Sequence, residues 1–404
     1  MRIEPRTLKG FRDYGAREQA ARQTMFATIQ TVFEQFGFSP LSTPVLEFKE
    51  ILMGKYGDDE KLVYSFQDNG GRDVAMRYDL TVPLARYVAQ NQGSLQWPFK
   101  RYQIAPVWRA DNPQKGRLRE FYQCDVDVVG TDNVLADAEV IACVAKALEA
   151  LGLSNYKIRI NDRAVFAEFS QETIRIIDKV EKIGIESMTE EMRERGVSAT
   201  EISAAIKLVL DGKQAVPQRL AEVINILNQF SLNGQIDFDT TIARGLDYYS
   251  GTVFEIVLPE KPEYGSIAAG GRYDGLLSQF SAEDLPAVGA SIGIDRLYGA
   301  LDELGLLPQT ATATVLVLNL AASAQTDYLA LAGELRAAGI KTELYYEPAK
   351  LDKQFKYAER RGIIWAVIFG SEEQASGKVK LKNLTTREQL EVPRSELLER
   401  LINT

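Results

Sequence analysis

Histidine is absent from all 404 residues. That removes the usual physiological-pH general base, the Ser-His-Asp triad and every histidine-ligated metal site. Cysteine is nearly absent: Cys124 and Cys143 are the only two. Two thiols are too few for a disulfide framework or a cysteine-based zinc site, and they suit a reducing cytoplasm. No apolar run approaches the ~20 residues that span a bilayer. The opening "MRIEPRTLKGFRDY" is polar where a secretory leader would be apolar. A cytoplasmic chain with no membrane contact is expected. Positive charge is in deficit, with a net charge of −9, which argues against non-specific coating of nucleic acid and leaves RNA only a local basic face. Catalysis must then rest on positioning and electrostatics from Arg, Lys and carboxylates.

What is present divides along the chain. The length suits two or three domains, each with its own core. Apolar residues recur at helical spacing over 17–36 and stop at Gly37, a C-cap signal. Pro-punctuated "FSPLSTPVLEF" follows as an extended segment. Short strands are expected at "KLVYSFQD", "DVAMRYD", "KRYQIAPVWRA" and "LREFYQCDVDVVG", with "LTVPLARYVAQN" helical between the middle two. "ADAEVIACVAKALEALGL" reads as a helix capped at Gly152, and "YKIRIND" as a strand. Residues 170–233 turn helix-rich and charged between two strand-rich blocks, which predicts an inserted helical subdomain. Turn-rich "LLPQTATAT" (306–314) marks a linker. Beyond it strands and helices alternate, the pattern of a small α/β domain on a mostly parallel core. Lys353, Lys356, Arg360, Arg361, Lys378, Lys380 and Lys382 concentrate positive charge there. Solvated helix faces explain such a cluster; so does a phosphate-binding surface.

Three stretches carry chemistry. In "VWRADNPQKGRLREFYQCDVDVVG" (107–130) two strands flank a turn-rich loop, so the piece reads as a long hairpin. Phe121, Gln123, Asp125 and Asp127 fall on alternate positions and share one face. Two carboxylates, an amide and a ring make an odd core but a suitable polar pocket. Arg109 and Arg117 offer forks that match phosphate or carboxylate oxygens. The second stretch is glycine-rich: "AAGGRYDG" and "VGASIGIDRL" place glycines in or beside strands, where a ligand can approach the sheet. Neither matches the phosphate loop or the dinucleotide fingerprint. The third, "RGLDYYSGTVFE" (244–255), sets an arginine, an aspartate and two tyrosines at the mouth of a strand. Pairing of Arg244 with Asp247 in an ordinary loop accounts for it locally; a substrate site accounts for it together with the other two.

Taken together these residues resemble the histidyl-tRNA synthetase family of class II aminoacyl-tRNA synthetases over essentially the whole chain. "FGFSPLSTPVLE" is similar to the dimer-forming motif 1, with its proline at Pro44; "WRADNPQKGRLREFYQ" to motif 2; and "GASIGIDRL" to motif 3. "RGLDYYSGTVFE" and "AAGGRYDG" resemble the two signatures that set the histidine enzymes apart. The resemblance implies an α+β catalytic domain (1–310) on a mixed, mainly antiparallel sheet, with the helical insertion at about 170–233. It also implies a C-terminal α/β anticodon-binding domain (311–404). The implied reaction ligates L-histidine to tRNA(His) through a histidyl-adenylate made from ATP with Mg2+, in a homodimer. The alternative from the same fold is a non-catalytic regulatory subunit of ATP phosphoribosyltransferase.

By the same resemblance Arg109 and Arg244 would be catalytic, holding the α-phosphate from opposite sides, with Arg109 also on the substrate carboxylate. Asp79, Leu80, Thr81 and Gln123 would surround the α-ammonium. Asp127 and Tyr249 would read the imidazole, with Tyr248 and Tyr273 lining its pocket. Arg117 and Arg296 would take the outer phosphates; Phe121 and Arg296 would sandwich the adenine, with Asp111 and Gly293 beside it. The metal ligands are left open. Asp79 and Asp127 stand where many bacterial members have Glu, Tyr122 where they have His, and Asp295 where motif 3 usually has Glu. The first three are similar to the branch that includes the eukaryotic enzymes.

Overall fold

The computed structural model describes residues 3–54, 57–114, 116–211, 216–243, 249–281, 283–307 and 313–402. Contacts divide the chain into two compact units, residues 1–13 with 24–307 and residues 14–23 with 308–404. The chain begins with α1 (Ala16–Gln35), β1 (Ser39–Pro40), β2 (Leu46–Phe48), α2 (Lys49–Leu52), β3 (Ser65–Gln67), β4 (Asp73–Met76), α3 (Thr81–Asn91), β5 (Phe99–Trp108), β6 (Glu120–Val129) and α4 (Val134–Ala150). There follow β7 (Lys157–Asp162), α5 (Gln171–Ile177), α6 (Val180–Glu194), α7 (Ala199–Asp211), α8 (Gln218–Leu227), β8 (Gln235–Phe238), β9 (Thr252–Val257), β10 (Ser266–Arg272), α9 (Asp274–Leu277), β11 (Ala287–Gly293) and α10 (Ile294–Glu303).

Eight of these strands form one sheet in the order β1-β5-β6-β11-β10-β9-β7-β8. The outer pairs β1–β5 and β7–β8 are parallel and every inner pair is antiparallel, so the sheet is mixed and mainly antiparallel. Strand alternation gives it two unlike faces. One face carries Tyr102, Cys124, Val126, Val128, Phe254, Ile256, Ile158, Ile160, Val288 and Ile292, all buried. These join Met25, Ile29 and Phe33 of α1 and most of α4 in the largest apolar core. The opposite face is polar, and the site lies there. The small sheet β2-β4-β3 stands apart from the large one.

The helical segment divides in a way that composition does not show. Helices α5, α6 and α7 share a core of their own, with Ile174, Ile177, Met188, Met192, Ile202 and Leu208. Leu220, Val223 and Leu227 of α8 instead join the main core beside α4. "KLVYSFQD" is also less extended than its pattern predicts: a 3-10 turn covers Gly57–Leu62 and only Ser65–Gln67 is a strand.

The second unit contains β12 (Val315–Val317), α11 (Gln325–Ala337), β13 (Thr342–Leu344), α12 (Leu351–Arg360), β14 (Trp365–Ile368), α13 (Ser371–Ser376), β15 (Lys378–Asn383), β16 (Gln389–Pro393) and α14 (Leu397–Ile402). Its sheet order is β13-β12-β14-β15-β16, with the first three strands parallel and the last two antiparallel. Separate apolar clusters cover its two faces, one with Leu331 and Leu335 of α11 and the other with Ala358 of α12. Helix α13, "SEEQAS", has no apolar periodicity to reveal it. Its first turn is held locally, the Gly370 N–H donating to Glu373 at 2.9 Å. Among the described residues of the whole chain, no helix is long and apolar enough to cross a membrane.

Glycine at position 270 is a packing requirement of the large sheet. A Cβ there would lie 2.2 Å from the Gly289 carbonyl oxygen and 2.7 Å from Ala290 Cα, both backbone atoms that cannot move without breaking the β10–β11 ladder. Gly270→Ala is expected to cost roughly 1–3 kcal/mol as an overpacking change. Thermal melts should show a fall of several degrees, while Gly275→Ala, where a Cβ meets nothing within 4 Å, should melt close to the parent. Equal melting temperatures for the two variants would refute the close approach.

Candidate active site

Strand register builds the polar face row by row. In one row Arg101 of β5 lies opposite Asp127 of β6, and Gly289, Gly271, Val253 and Asn161 continue it across β11, β10, β9 and β7. In the next, Gln103 and Asp125 are followed by Ser291, Ala269, Glu255 and Arg159. A third sets Gln123 between Ala105 and Gly293. Charged and amide groups therefore stand on β5 and β6, while β10 and β11 contribute glycine, alanine and serine. The result is a low floor beside a polar wall, the geometry that lets a ligand lie on a sheet.

The wall is deeply buried. Tyr273 Oη–H donates to Asp127 Oδ1, and the Arg101 guanidinium forms an ion pair with Oδ2 at 2.7 Å. Arg101 also donates from Nη2 to the Leu80 carbonyl at 3.1 Å. Gln123 Nε2 donates to Ser291 Oγ at 2.8 Å. Among the described residues, Nε and Nη1 of Arg101, Oε1 of Gln123 and Oδ1 of Asp125 are buried without a hydrogen-bond partner. Natural proteins rarely leave such groups unpaired unless the site has work to do. Burial raises the Asp127 carboxyl above its ordinary value, with Arg101 and Tyr273 opposing. Burial likewise pushes Asp125 up to about 7; Arg101 and Ser291 oppose, and the neighbouring charges of Asp127 and Asp79 add.

At the far end of the hairpin Arg109 donates from Nε to the Tyr78 carbonyl at 3.0 Å. Its Cζ sits 4.2 Å over the Tyr78 ring and 5.2 Å from that of Phe121. Arg109 is thus held flat, with its orientation fixed by two rings and a carbonyl. Asp79 caps α3, its Oδ1 accepting from Val82 N–H at 3.0 Å, which places Leu80 and Thr81 at the helix start. The Asp111 carbonyl accepts from Arg119 Nε at 3.0 Å, closing the base of the loop. Arg117 is exposed at the loop tip in a bridge with Gln114. Arg296 on α10 donates from Nη1 to the Ser266 carbonyl at 2.9 Å, and a Cβ at Gly116 would lie 3.2 Å from its Cγ. The loop tip and Arg296 therefore meet. Asp295 accepts the Tyr122 N–H at 3.1 Å, so the residue that departs from the usual motif 3 pins α10 to β6. Gly293 ends β11 and caps α10.

Tyr249 lies over the floor: a Cβ at Gly271 would sit 3.0 Å from its Cδ1. Arg244 and Tyr248 fall outside the described residues. The segments on either side are anchored, however. Asn161 Nδ2 donates to the Ile242 carbonyl and Arg163 Nη1 to that of Ala243, both at 2.9 Å; after the segment, Ser250 N–H donates to the Arg272 carbonyl at 2.8 Å. Among the described residues no cluster of three or more acidic or thiol groups is placed to hold a metal. Two site residues were not singled out from sequence, Arg101 and Ser291. Both are found by the hairpin and sheet registers that pair them with Asp127 and Asp125.

Comparison with known proteins finds relatives over the whole chain. A family model described as histidyl-tRNA synthetase matches residues 10–297, and one described as an anticodon binding domain matches 314–404. The histidine–tRNA ligase of Rhodopirellula baltica is 42% identical over 422 residues, covering 96% of each chain. That of Treponema denticola is 38% identical over 442 residues, covering 99% of this chain and 98% of the relative. The crystal structure of histidyl-tRNA synthetase from a Nostoc species superposes with a TM-score of 0.86 at 33% identity over the whole of both chains.

The raised Asp125 carboxyl has a consequence for stability. Its folded value of about 7 lies above the ordinary 3.8, so its contribution is fully present below about pH 4 and is lost as pH rises through about 7. Asn mimics the neutral carboxyl and does not titrate. The melting temperature of Asp125→Asn relative to the parent is expected to improve between pH 4 and pH 8 and then level off. A difference independent of pH would show that Asp125 does not titrate in this range.

Proposed function

This chain belongs to the histidyl-tRNA synthetase family, and on that premise we propose that the polar face of its large sheet is where histidine and ATP react. The activity is ATP-dependent ligation of histidine to tRNA through a histidyl-adenylate, with release of pyrophosphate and AMP. The cluster of buried, unpartnered polar atoms on Arg101, Gln123 and Asp125 beside a glycine floor carries the reading. A zwitterionic substrate with a polar ring supplies what those groups lack.

In this reading Asp79, Thr81 and Gln123, with the Leu80 backbone, hold the α-ammonium. Asp127 and Tyr249 meet the imidazole, with Tyr248 and Tyr273 around it. Adenylate formation is an in-line attack by the substrate carboxylate on the α-phosphorus, so no proton has to leave the nucleophile. Two anions must instead be brought together while charge grows on the phosphate oxygens. Fixed cations and orientation provide this. Arg109, flattened between Tyr78 and Phe121, suits one side of the α-phosphate, and Arg244 the other. Arg117 and Arg296 take the outer phosphates, with Phe121, Arg296, Asp111 and Gly293 at the adenine. Mg2+ enters with the nucleotide's phosphates as part of the substrate, where it neutralises charge. The lack of histidine costs this chemistry nothing.

Two further parts of the reading have physical support. Leu46, Phe48 and Phe66 are exposed, at 43%, 54% and 49%. Register sets Leu46 with Met76, and Phe48 and Phe66 on either side of Val74, in one apolar patch. A second copy of this chain would bury it, giving the homodimer. In the second unit Lys353, Lys356 and Arg360 share the exposed face of α12, and Tyr346 is 86% exposed. Gln354 and Asn319 fix the loop that presents Tyr346, with Asn319 Nδ2 donating to the Tyr346 carbonyl at 3.0 Å. A cationic face with an aromatic platform suits the single-stranded part of tRNA. Work in the cytoplasm follows from these substrates. The rival reading, a regulatory subunit of ATP phosphoribosyltransferase, is weaker, because relatives spanning 95–99% of the chain are histidine–tRNA ligases.

Histidine-dependent ATP–pyrophosphate exchange tests the site directly. Asp127→Asn should raise the histidine KM strongly with little change in the ATP KM; a histidine KM within about twofold of the parent, under ~0.5 kcal/mol, would remove Asp127 from the pocket. Changing Lys353, Lys356 and Arg360 together to Ala should weaken tRNA charging and flatten its log–log salt dependence by about two units, at roughly 0.7 per phosphate contact. Exchange without tRNA should be unaffected, and an unchanged salt slope would exclude α12 from the interface.

A further inference from the structure

Arg101 is fully buried, at 0% exposure. Moving a guanidinium out of water is costly unless its charge is matched, and here the match is Asp127 Oδ2 at 2.7 Å. Its second bond goes to the carbonyl of Leu80, the residue between Asp79 and Thr81. One cation thus touches both ends of the proposed histidine pocket, the carboxylate at the ring and the backbone at the ammonium. Nε and Nη1 have no hydrogen-bond partner among the described residues, so only part of its bonding capacity goes to holding the fold.

We infer that Arg101 is a positioning residue that sets the charge of the imidazole pocket, pairing with Asp127 so that the site selects the neutral ring of histidine over its cation. The inference rests on the assignment of Asp127 to the imidazole. The groups that face the pair are Asp125 on the same face of β6, Asp79 at the start of α3, Tyr273 after β10 and Tyr249 over Gly271. Three of these five side chains, counting Asp127, are carboxylic acids; against them stand Arg101, paired with Asp127, and the buried guanidinium of Arg77 just after β4, which acts on Asp125. With Arg101 present, an ionised Asp127 accepts a ring N–H while the ion pair stays neutral, and a cationic ring would add an uncompensated buried charge. Without Arg101, the ring itself becomes the natural counter-ion of Asp127.

The two cases give opposite pH slopes around ~6.5, the ordinary value for imidazole. In the parent the histidine KM, measured by pyrophosphate exchange from pH 5.5 to 8.5, should be flat above neutrality and rise up to about tenfold per unit below pH 6.5. In Arg101→Leu it should be lowest at acid pH and climb as pH rises, reaching at least about 30-fold above the parent at pH 8. The ATP KM should stay within about twofold, and Arg101→Lys should keep the parent's slope. A Leu variant with the parent's slope, or with both KM values raised in parallel, would overturn the inference, since loss of packing alone does not invert a pH profile. Should Arg101→Leu fail to fold, the parent still decides. β-(1,2,4-Triazol-3-yl)alanine, whose ring is neutral throughout this range and whose carboxylate is intact, should support exchange in place of histidine with a KM that stays constant where the histidine KM rises. A parent histidine KM that falls on acidification would refute selection of the neutral ring. An unaltered histidine KM in Asp127→Asn overturns the pocket reading itself, whereas a large Asp127 effect with an uninverted Arg101→Leu profile overturns only the role of Arg101.

Discussion

The pairing of β5 with β6, from Phe99 opposite Val129 to Trp108 opposite Glu120, is the constraint on which the site depends. Because side chains alternate along a strand, this one register sends Tyr102, Cys124, Val126 and Val128 into the apolar core. It sends Arg101, Gln103, Asp125, Asp127, Gln123 and Phe121 to the other face. A slip of one residue would exchange the two sets, burying carboxylates in hydrocarbon and exposing the core. The core therefore enforces the site: the apolar contacts with α1 and α4 hold the register that the polar face needs.

That polar face is assembled against its own electrostatics. Asp79, Asp125 and Asp127 crowd a volume with little water, and burial raises the last two. The structure offsets this with Arg101, with the Tyr273 hydroxyl on Asp127 and with Ser291 beside Asp125. Buried ion pairs of this kind add little to stability relative to apolar residues of the same size. Their value lies in preorganisation, since dipoles and charges fixed before substrate arrives need no rearrangement during the reaction. A family member without histidine suits the proposed division of labour, in which adenylation draws its charge and geometry from arginine and aspartate held by the sheet.

The motifs also turn out to share mechanical supports. Asp295 of the "GIDRL" segment bonds the backbone of Tyr122 in the hairpin. The hairpin loop meets Arg296 through Gly116. Arg272 of "GGRYD" is buried and locked to the buried Asp137 of α4 at 2.5 Å. Residues far apart in sequence thus fix one another.

Much of this was legible in the sequence, and the reason is locality. Period-two alternation within "EFYQCDVDVV" is a property of ten consecutive residues, so the shared face of Phe121, Gln123, Asp125 and Asp127 follows without knowing the fold. Helix α1 ending before Gly37, helix α4 ending before Gly152 and the βα alternation after residue 314 are local in the same sense. The rest depended on contacts between distant segments. Nothing in "WPFKRYQ" announces a buried cation; Arg101 becomes one only when β5 pairs with β6 and α3 brings the Leu80 carbonyl to it. Helix α8 looks like its charged neighbours, yet the partner of its apolar stripe is α4, distant in sequence, a pairing that only tertiary packing decides. Helix α13 has no apolar stripe at all. The sequence by itself determined the elements and the chemistry they carry, because propensity and periodicity act over a few residues. Tertiary structure alone decided which charges are buried together, because desolvation and Coulomb energy depend on neighbours in space.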